Sequence, residues 1–283
     1  MKAKQITTYH VKGEAKTWEK ALAPEDESKS VKMIESNVIN LYPDFAFQTI
    51  EGFGGAMTES SAYLLSRMDE ETQNQALQDI FGPDGLHARF VRVPIDSCDY
   101  SLEEYQAVAD PIADPDLATF SIDRDRKYVL PMLKKAIEIS AEPISVLMSP
   151  WSPPYQWKTA PKIAKNDAAV YGAMGMPVPE EIPQRNHGGS LKPEYYGSWA
   201  KYVVKYLQAY LDEGIPVTML SLQNETVAAT TWDSCVWTPE ESKNLPERLS
   251  VSGDEKSRPD GQDRHLHLGS QQRAYDRARS DRP

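Results

Sequence analysis

Apolar residues recur along this chain with two different rhythms, and the change between them falls near Phe47. Over residues 4–47, short β-prone pieces such as "QITTYHV" and "VINLY" alternate with charged turns, a pattern that predicts strands of a small β unit. Beyond Phe47, short apolar runs alternate with segments of helical period. "FQTIEGFGG" reads as a strand, followed by helices in "ESSAYLLSRM" and "DEETQNQALQDIF"; "ARFVRVPI" reads as a second strand, with a helix in "KYVLPMLKKAIEIS". "ISVLMSP" is the third strand, "YYGSWAKYVVKYLQAYLDEG" its helix, and "VTMLSLQN" the fourth strand. In the last helix Tyr196, Trp199, Val203, Tyr206, Leu207 and Tyr210 recur at three- and four-residue spacing, which makes one face for packing on a sheet. Strands alternating with helices predict parallel βα units.

Each of these strands runs into polar or aromatic residues: "EGFGGAMTE", "DSCDY", "PWSPP" and "QNET". In a (β/α)8 barrel such strand-end positions line the catalytic face. A Pro- and Gly-rich connection, Trp151–Pro193, separates the third strand from its helix and has the length of an active-site loop. "TPEESKNL" starts another helix, with Thr238 as N-cap, Pro239 in the first turn and Glu241 closing a capping box. From Pro246 the pattern stops: only seven of the last 38 residues are apolar, and they have no period that would bury a face.

Composition narrows the reading. A chain of 283 residues with 40% hydrophobic content has enough apolar material for one barrel or two smaller domains. Its 31 basic and 42 acidic residues give a net charge of −11, which disfavours nucleic acid as a partner and suits a neutral ligand. No run is apolar and long enough for a membrane span, and "MKAKQITTYHVKGEAKTW" lacks the apolar segment of a signal peptide, so the expected location is the cytoplasm. Cys98 and Cys235 are too few for a disulfide framework or a four-ligand zinc site, and are expected as free thiols.

The blocks "EGFGGAMTESSA", "VRVPIDSCDYS", "LMSPWSPPYQWK", "GGSLKPEYYGSWAKYVVKYLQAY" and "SLQNE…WDSCVWTPEE" occur in the order found in glycoside hydrolase family 30, and the chain resembles its glucosylceramidase-like enzymes from about Phe47 to Leu245. The resemblance implies a retaining β-glycosidase without metal or organic cofactor, acting on a β-linked sugar. It also implies a (β/α)8 barrel, here partial with about four βα units over 47–245, and a side β-sandwich whose first strands are residues 1–46. Glu225 matches the catalytic acid/base. Asn224 matches the amide that hydrogen-bonds the sugar 2-hydroxyl; a surface Asn-Glu turn is the plainer alternative for the pair. Asp99 matches a carboxylate that grips sugar hydroxyls, against a helix N-cap. Trp151 matches an aromatic wall of the sugar pocket, against core packing. Arg92 matches an arginine that keeps the nucleophile ionised, against a buried structural ion pair. Trp232 and Trp157 line the pocket or pack their loops. One position departs from the family: proline usually follows the acid/base, and here Thr226 does, which leaves Glu225 less rigidly held.

In this family the nucleophile lies at the end of the seventh barrel strand, and no residue after Leu245 ends an apolar strand. Read one base later, codons for "HLHLGSQQRA" permit Ile-Tyr-Ile-Trp-Asp-His-Asn-Lys-Glu-Arg, and those for "PERLSVSGDEK" permit Leu-Lys-Asp-Tyr-Leu-Ser-Pro-Glu-Met-Lys-Lys. These strings make the missing helix and an apolar strand resembling the family's continuation. Residues 246–283 are therefore expected to be a disordered, out-of-frame tail on a chain truncated after its fourth barrel strand. A chain so built is expected to be inactive because its nucleophile is missing; the alternative from a different class is a non-catalytic remnant or a carbohydrate-binding half barrel. Another barrel hydrolase with a strand-four glutamate is the enzymatic alternative.

Overall fold

The computed structural model describes residues 3–11, 14–22, 42, 44–159, 186–248 and 267–269. The chain divides into two units, Met1–Ile50 and Glu51–Pro283. The first unit contains β1 (Ala3–Val11) and β2 (Glu14–Leu22), paired antiparallel over their full length. Lys4 and Glu19 pair across this ladder at 2.8 Å, and the hydroxyls of Thr8 and Thr17 meet at 3.1 Å. β2 is charged at many of its positions and is not among the β-prone pieces. It is a strand because β1 supplies its hydrogen bonds. Apart from Tyr42, "VINLY" lies outside the described residues.

The second unit follows the βα rhythm. β3 (Gly54–Ala56) leads into α1 (Glu59–Ser66) and α2 (Glu70–Phe81), then come β4 (Phe90–Ile95), α3 (Asp123–Lys127), α4 (Val129–Ile139) and β5 (Ser145–Pro150). After these come α5 (Tyr196–Asp212), β6 (Val217–Ser221), α6 (Pro239–Arg248) and β7 (His267–Gly269). The strands lie side by side in chain order, β3-β4-β5-β6-β7, all parallel. This is the order of successive strands in a (β/α)8 barrel, and the described sheet is open.

Local chemistry explains the boundaries. Asp69 caps α2 by accepting from the Thr72 N–H at 2.9 Å. At α6 the expected capping box forms: the Thr238 N–H donates to Glu241 at 2.7 Å and the Glu241 N–H donates back to Thr238 Oγ1 at 3.3 Å. Gly54 admits β4 closely, since a Cβ there would lie 1.7 Å from the Phe90 carbonyl oxygen.

One sheet face packs on helices. Val91, Val93 and Ile95 of β4, Val146 and Met148 of β5, and Leu220 of β6 share a core with Leu130 and Leu133 of α4 and Val203 and Leu207 of α5. Burying such side chains stabilises by about 1.5–3 kcal/mol each. On β4 and β5 the other face carries Arg92 beside Leu147, both half-buried, with no described strand closing over them.

The tail departs from expectation in two places. α6 runs to Arg248, and β7 lies within the stretch expected to be unstructured, paired to β6 through Met219–His267, Leu220–Leu268 and Ser221–Gly269. A backbone ladder needs no apolar period, and the open edge of β6 offers unpaired groups to any extended segment that reaches it. Among the described residues no helix is long and apolar enough to cross a membrane.

Candidate active site

The polar residues that end β4, β5 and β6 meet around one guanidinium. Arg92, in the middle of β4, donates through Nη2 to Ser149 Oγ at 2.8 Å and to Asn224 Oδ1 at 2.7 Å. Its guanidinium carbon lies 4.3 Å from the centre of the Trp151 ring. Burial pulls Arg92 below its ordinary pKa, while Cys98, Asp99 and Glu225 act the other way, so both expected carboxylates lie within its electrostatic reach. An arginine offers only donors, so the Asn224 oxygen must face it, and the Asn224 NH2 is left for other acceptors.

Backbone contacts hold these side chains in place. The Asn224 N–H donates to the Pro150 carbonyl at 2.8 Å, tying the end of β6 to the end of β5. Buried Gln223 donates to the carbonyls of Trp151 at 2.6 Å and Asn224 at 2.9 Å, and accepts from the Trp237 indole at 3.1 Å. The loop carrying Asp99 is anchored by Glu59 of α1, which accepts from the Leu102 N–H at 2.8 Å and is gripped by Arg124. Ser97 in that loop donates to Asp233, in the loop after β6, at 2.7 Å. Buried Lys158 closes the other side. Its ammonium donates to Ser152 Oγ, the Asn186 carbonyl and the Ser234 carbonyl at 2.7, 2.8 and 2.6 Å, and burial among these neutral acceptors lowers its pKa to about 8. His187 pairs with Glu104 nearby.

Glu225 is exposed, and its backbone is left-handed, with φ of 46°. A residue before proline is pushed towards extended conformations, so Thr226 leaves open a geometry that proline would resist. The Glu225 carbonyl accepts from the Ala228 N–H at 2.9 Å, and the Thr226 carbonyl from the Trp237 N–H at 2.8 Å, which ties back the loop these residues begin. A left-handed non-glycine residue costs roughly 1 kcal/mol. Glu225→Gly is accordingly expected to be more stable than Glu225→Ala by about 1 kcal/mol in urea unfolding. Equal stabilities would show that the strain is absent in solution.

Several expectations change. Arg92 is directed at Asn224 and Ser149, with no described nucleophile carboxylate bound to it. Trp151 stands at the site, 6% exposed, with the Arg92 guanidinium over one ring face. Trp157 is core, 1% exposed, stacked on Tyr195 at 5.8 Å and edge-on to Tyr202 at 6.0 Å. Asp99 is exposed and caps no helix, since turns follow it. Trp232 is half-buried in the loop after β6, where its carbonyl accepts from Thr230 and Ser234 at 3.2 and 3.0 Å. The structure does not join its ring to Arg92. Cys98 and Cys235 are buried free thiols whose pKa values burial raises to about 11, which makes them weak nucleophiles while they stay buried. Ser149, Gln223 and Lys158 were not legible as site residues, although Gln223 opens the strand-end motif "QNET" and Ser149 and Lys158 lie within "LMSPWSPPYQWK".

The second unit coincides with a known domain. The model of the glycosyl hydrolase family 30 TIM-barrel domain matches residues 50–274, which carries the likeness past Leu245. The lysosomal acid glucosylceramidase of Mus musculus is 31% identical over 210 residues, 70% of this chain and 36% of that protein. The crystal structure of SrfJ from Salmonella typhimurium superposes with a TM-score of 0.64 at 32% identity, covering 87% of this chain and 48% of that one. An endo-β1,6-glucanase gives a TM-score of 0.59 at 28% identity, covering 72% and 41%. The chain thus spans about a third of the length of the curated relatives it matches. With its parallel strands in barrel order and the family's domain matching most of its length, the chain belongs to glycosyl hydrolase family 30.

Proposed function

We propose that the residues gathered around Arg92 are the acid/base and sugar-binding side of a retaining β-glycosidase site for glucosylceramide or a related β-glucoside. The contact between Arg92 and Asn224, with Glu225 and Asp99 in the same electrostatic field, carries this reading. In a retaining reaction one carboxylic acid protonates the leaving oxygen while a second carboxylate, about 5–5.5 Å away, attacks the anomeric carbon; the first then acts as base towards water. Glu225 takes the acid/base role. Asn224, its oxygen held by Arg92, presents its NH2 to the sugar 2-hydroxyl oxygen and so orients the sugar at the reacting carbon. Asp99 accepts from sugar hydroxyls.

A β-glucosyl unit is the feature that the names glucosylceramidase and endo-β1,6-glucanase share, which favours glucose over xylose in the pocket. Sphingolipid breakdown is the corresponding role. Hydrolysis by the 283-residue chain itself waits on a second carboxylate, because no described strand stands across the open sheet from β6 to supply one.

The test joins residues 1–245 to the remaining barrel strands of a family-30 relative and follows cleavage by proton NMR. An aryl β-glucoside and glucosylceramide are expected to release glucose first as the β-anomer, faster than the β-xyloside is cleaved. First appearance of α-glucose would mean an inverting hydrolase and defeat the two-carboxylate retaining mechanism.

A further inference from the structure

Away from Arg92, the back of the sheet holds a second group of carboxylates that the proposed reaction does not use. Asp125 of α3 is buried and accepts from three tyrosine hydroxyls: Tyr206 at 2.7 Å and Tyr210 at 3.0 Å, both on α5, and Tyr105 at 3.1 Å, in the loop after β4. Asp96, at the foot of that same loop, is also buried. It accepts from Tyr202 of α5 at 2.6 Å and from the Ala107 N–H at 2.9 Å, and its own backbone is left-handed, with φ of 60°. Asp96 and Asp125 thus fasten both ends of the segment bearing Asp99 to α3 and α5. Among the described residues, no arginine or lysine is bonded to the Asp125 carboxyl. Its neighbours are the three tyrosines, Glu59 of α1, which is engaged by Arg124, and Asp96, which in turn feels Asp233.

We infer that this carboxyl–tyrosine cluster is a pH-sensitive clasp, closing the loop after β4 onto α3 and α5 in acid and loosening as pH rises. Two arguments support it. Geometrically, two buried carboxyls within each other's electrostatic reach take their hydrogen bonds from tyrosine hydroxyls and one backbone N–H. The neighbouring guanidinium, Arg124 over the Tyr105 ring at 4.4 Å, is bonded to Glu59, so ionising both places like charges together with no cation bonded to either among the described residues. Electrostatically, burial raises Asp125 from an ordinary 3.8 to about 6, against the three tyrosine bonds that lower it, and burial raises Asp96 well above its usual range. The sign follows from linkage. The folded protein holds the proton more tightly than the unfolded chain does, so the contribution to stability is complete below the unfolded value, 3.8, and is lost as pH climbs through about 6. The tyrosines, all raised by burial, stay protonated donors throughout. Carboxylates with lowered values, such as Asp114 and Glu213, pull the other way, so the clasp shows in the difference between wild type and variant.

The experiment is urea unfolding of the 283-residue chain and of Asp125→Asn, an uncharged mimic of the protonated acid, from pH 4 to 7.5 at fixed ionic strength. The unfolding constant of the wild type, relative to the variant, is expected to rise by roughly a hundredfold across this range. A ratio that stays constant or falls would overturn the clasp. If Asp125→Asn does not fold, Tyr206→Phe serves instead. It removes a donor that favours the ionised carboxyl, so its destabilisation should be larger at pH 7.5 than at pH 4, and an equal penalty at both would overturn the inference. Alkylation of Cys98, compared between proteins at equal pH, reads the loop itself. At pH 7.5 the wild type should react faster than Asp125→Asn, and equal rates would show that the loop does not follow the clasp.

Discussion

Glu225→Gln, in a barrel completed by joining residues 1–245 to the remaining strands of a family-30 relative, is expected to lower kcat by roughly 10²–10⁴ on β-glucosides with poor leaving groups. That loss corresponds to about 3–5 kcal/mol of transition-state stabilisation. Glutamine matches glutamate in size and can still hydrogen-bond, but it has no proton to give to the departing oxygen. The loss should shrink on a dinitrophenyl β-glucoside, whose leaving group departs as an anion without help. This contrast separates a proton donor from a residue that only shapes the loop. Glu225 is exposed, begins a tied-back loop and has a left-handed backbone, so a structural role is the natural competitor. A structural role predicts equal losses on both substrates, and that outcome would remove Glu225 as the acid.

Trp157→Ala is expected to destabilise the second unit by about 3–5 kcal/mol, the usual loss for a fully buried tryptophan. The ring touches two aromatic side chains from different segments, Tyr195 just before α5 and Tyr202 within it, and leaves almost no surface in water. Next to it, the Lys158 N–H donates to the Tyr155 carbonyl at 3.1 Å and the Lys192 N–H to the Trp157 carbonyl at 3.0 Å, so the segment cannot easily collapse into the space left behind. Trp232→Ala, in the half-buried loop position, should cost no more than about 1 kcal/mol. Urea unfolding of both variants checks the pair; similar losses would mean that Trp157 is not the core residue its burial indicates.

Much of the fold was legible because its signals are local. Three- and four-residue spacing placed α5, and Thr238 with Glu241 announced the start of α6, because a helix is specified by residues within a turn or two of one another. The four strands in the reading correspond to β3–β6 for the same reason. Strand-end logic put Asp99, Asn224 and Glu225 after their strands without any knowledge of distances, whereas Arg92, in the middle of β4, entered only through the family resemblance.

What stayed hidden is set by contacts between distant parts of the chain. Arg92 and Asn224 are 132 positions apart, and nothing near either residue says that the guanidinium meets the amide before any carboxylate. β2 and β7 are strands because a neighbour offers a ladder, which side-chain pattern does not record. Trp151 and Trp157 look alike as aromatics on one strand-end loop; whether such a ring meets ligand, guanidinium or core depends on which helix lies behind it. The left-handed backbone of Glu225 had a partial signal in Thr226, where a proline would have opposed it.

The central claim is that this chain carries the acid/base side of a two-carboxylate site and that hydrolysis waits on the second carboxylate. The most direct measurement is release of the aryl group from aryl β-glucosides and β-xylosides by the purified 283-residue chain, alongside Glu225→Gln, with the folded state of both confirmed by circular dichroism. The account predicts the same background rate for the two proteins on every substrate, because retaining hydrolysis needs two carboxylates and no described strand stands across the sheet from β6 to supply the second. Steady turnover by the unmodified chain that disappears in Glu225→Gln would contradict it, and would mean that a carboxylate already present in these residues serves as the nucleophile.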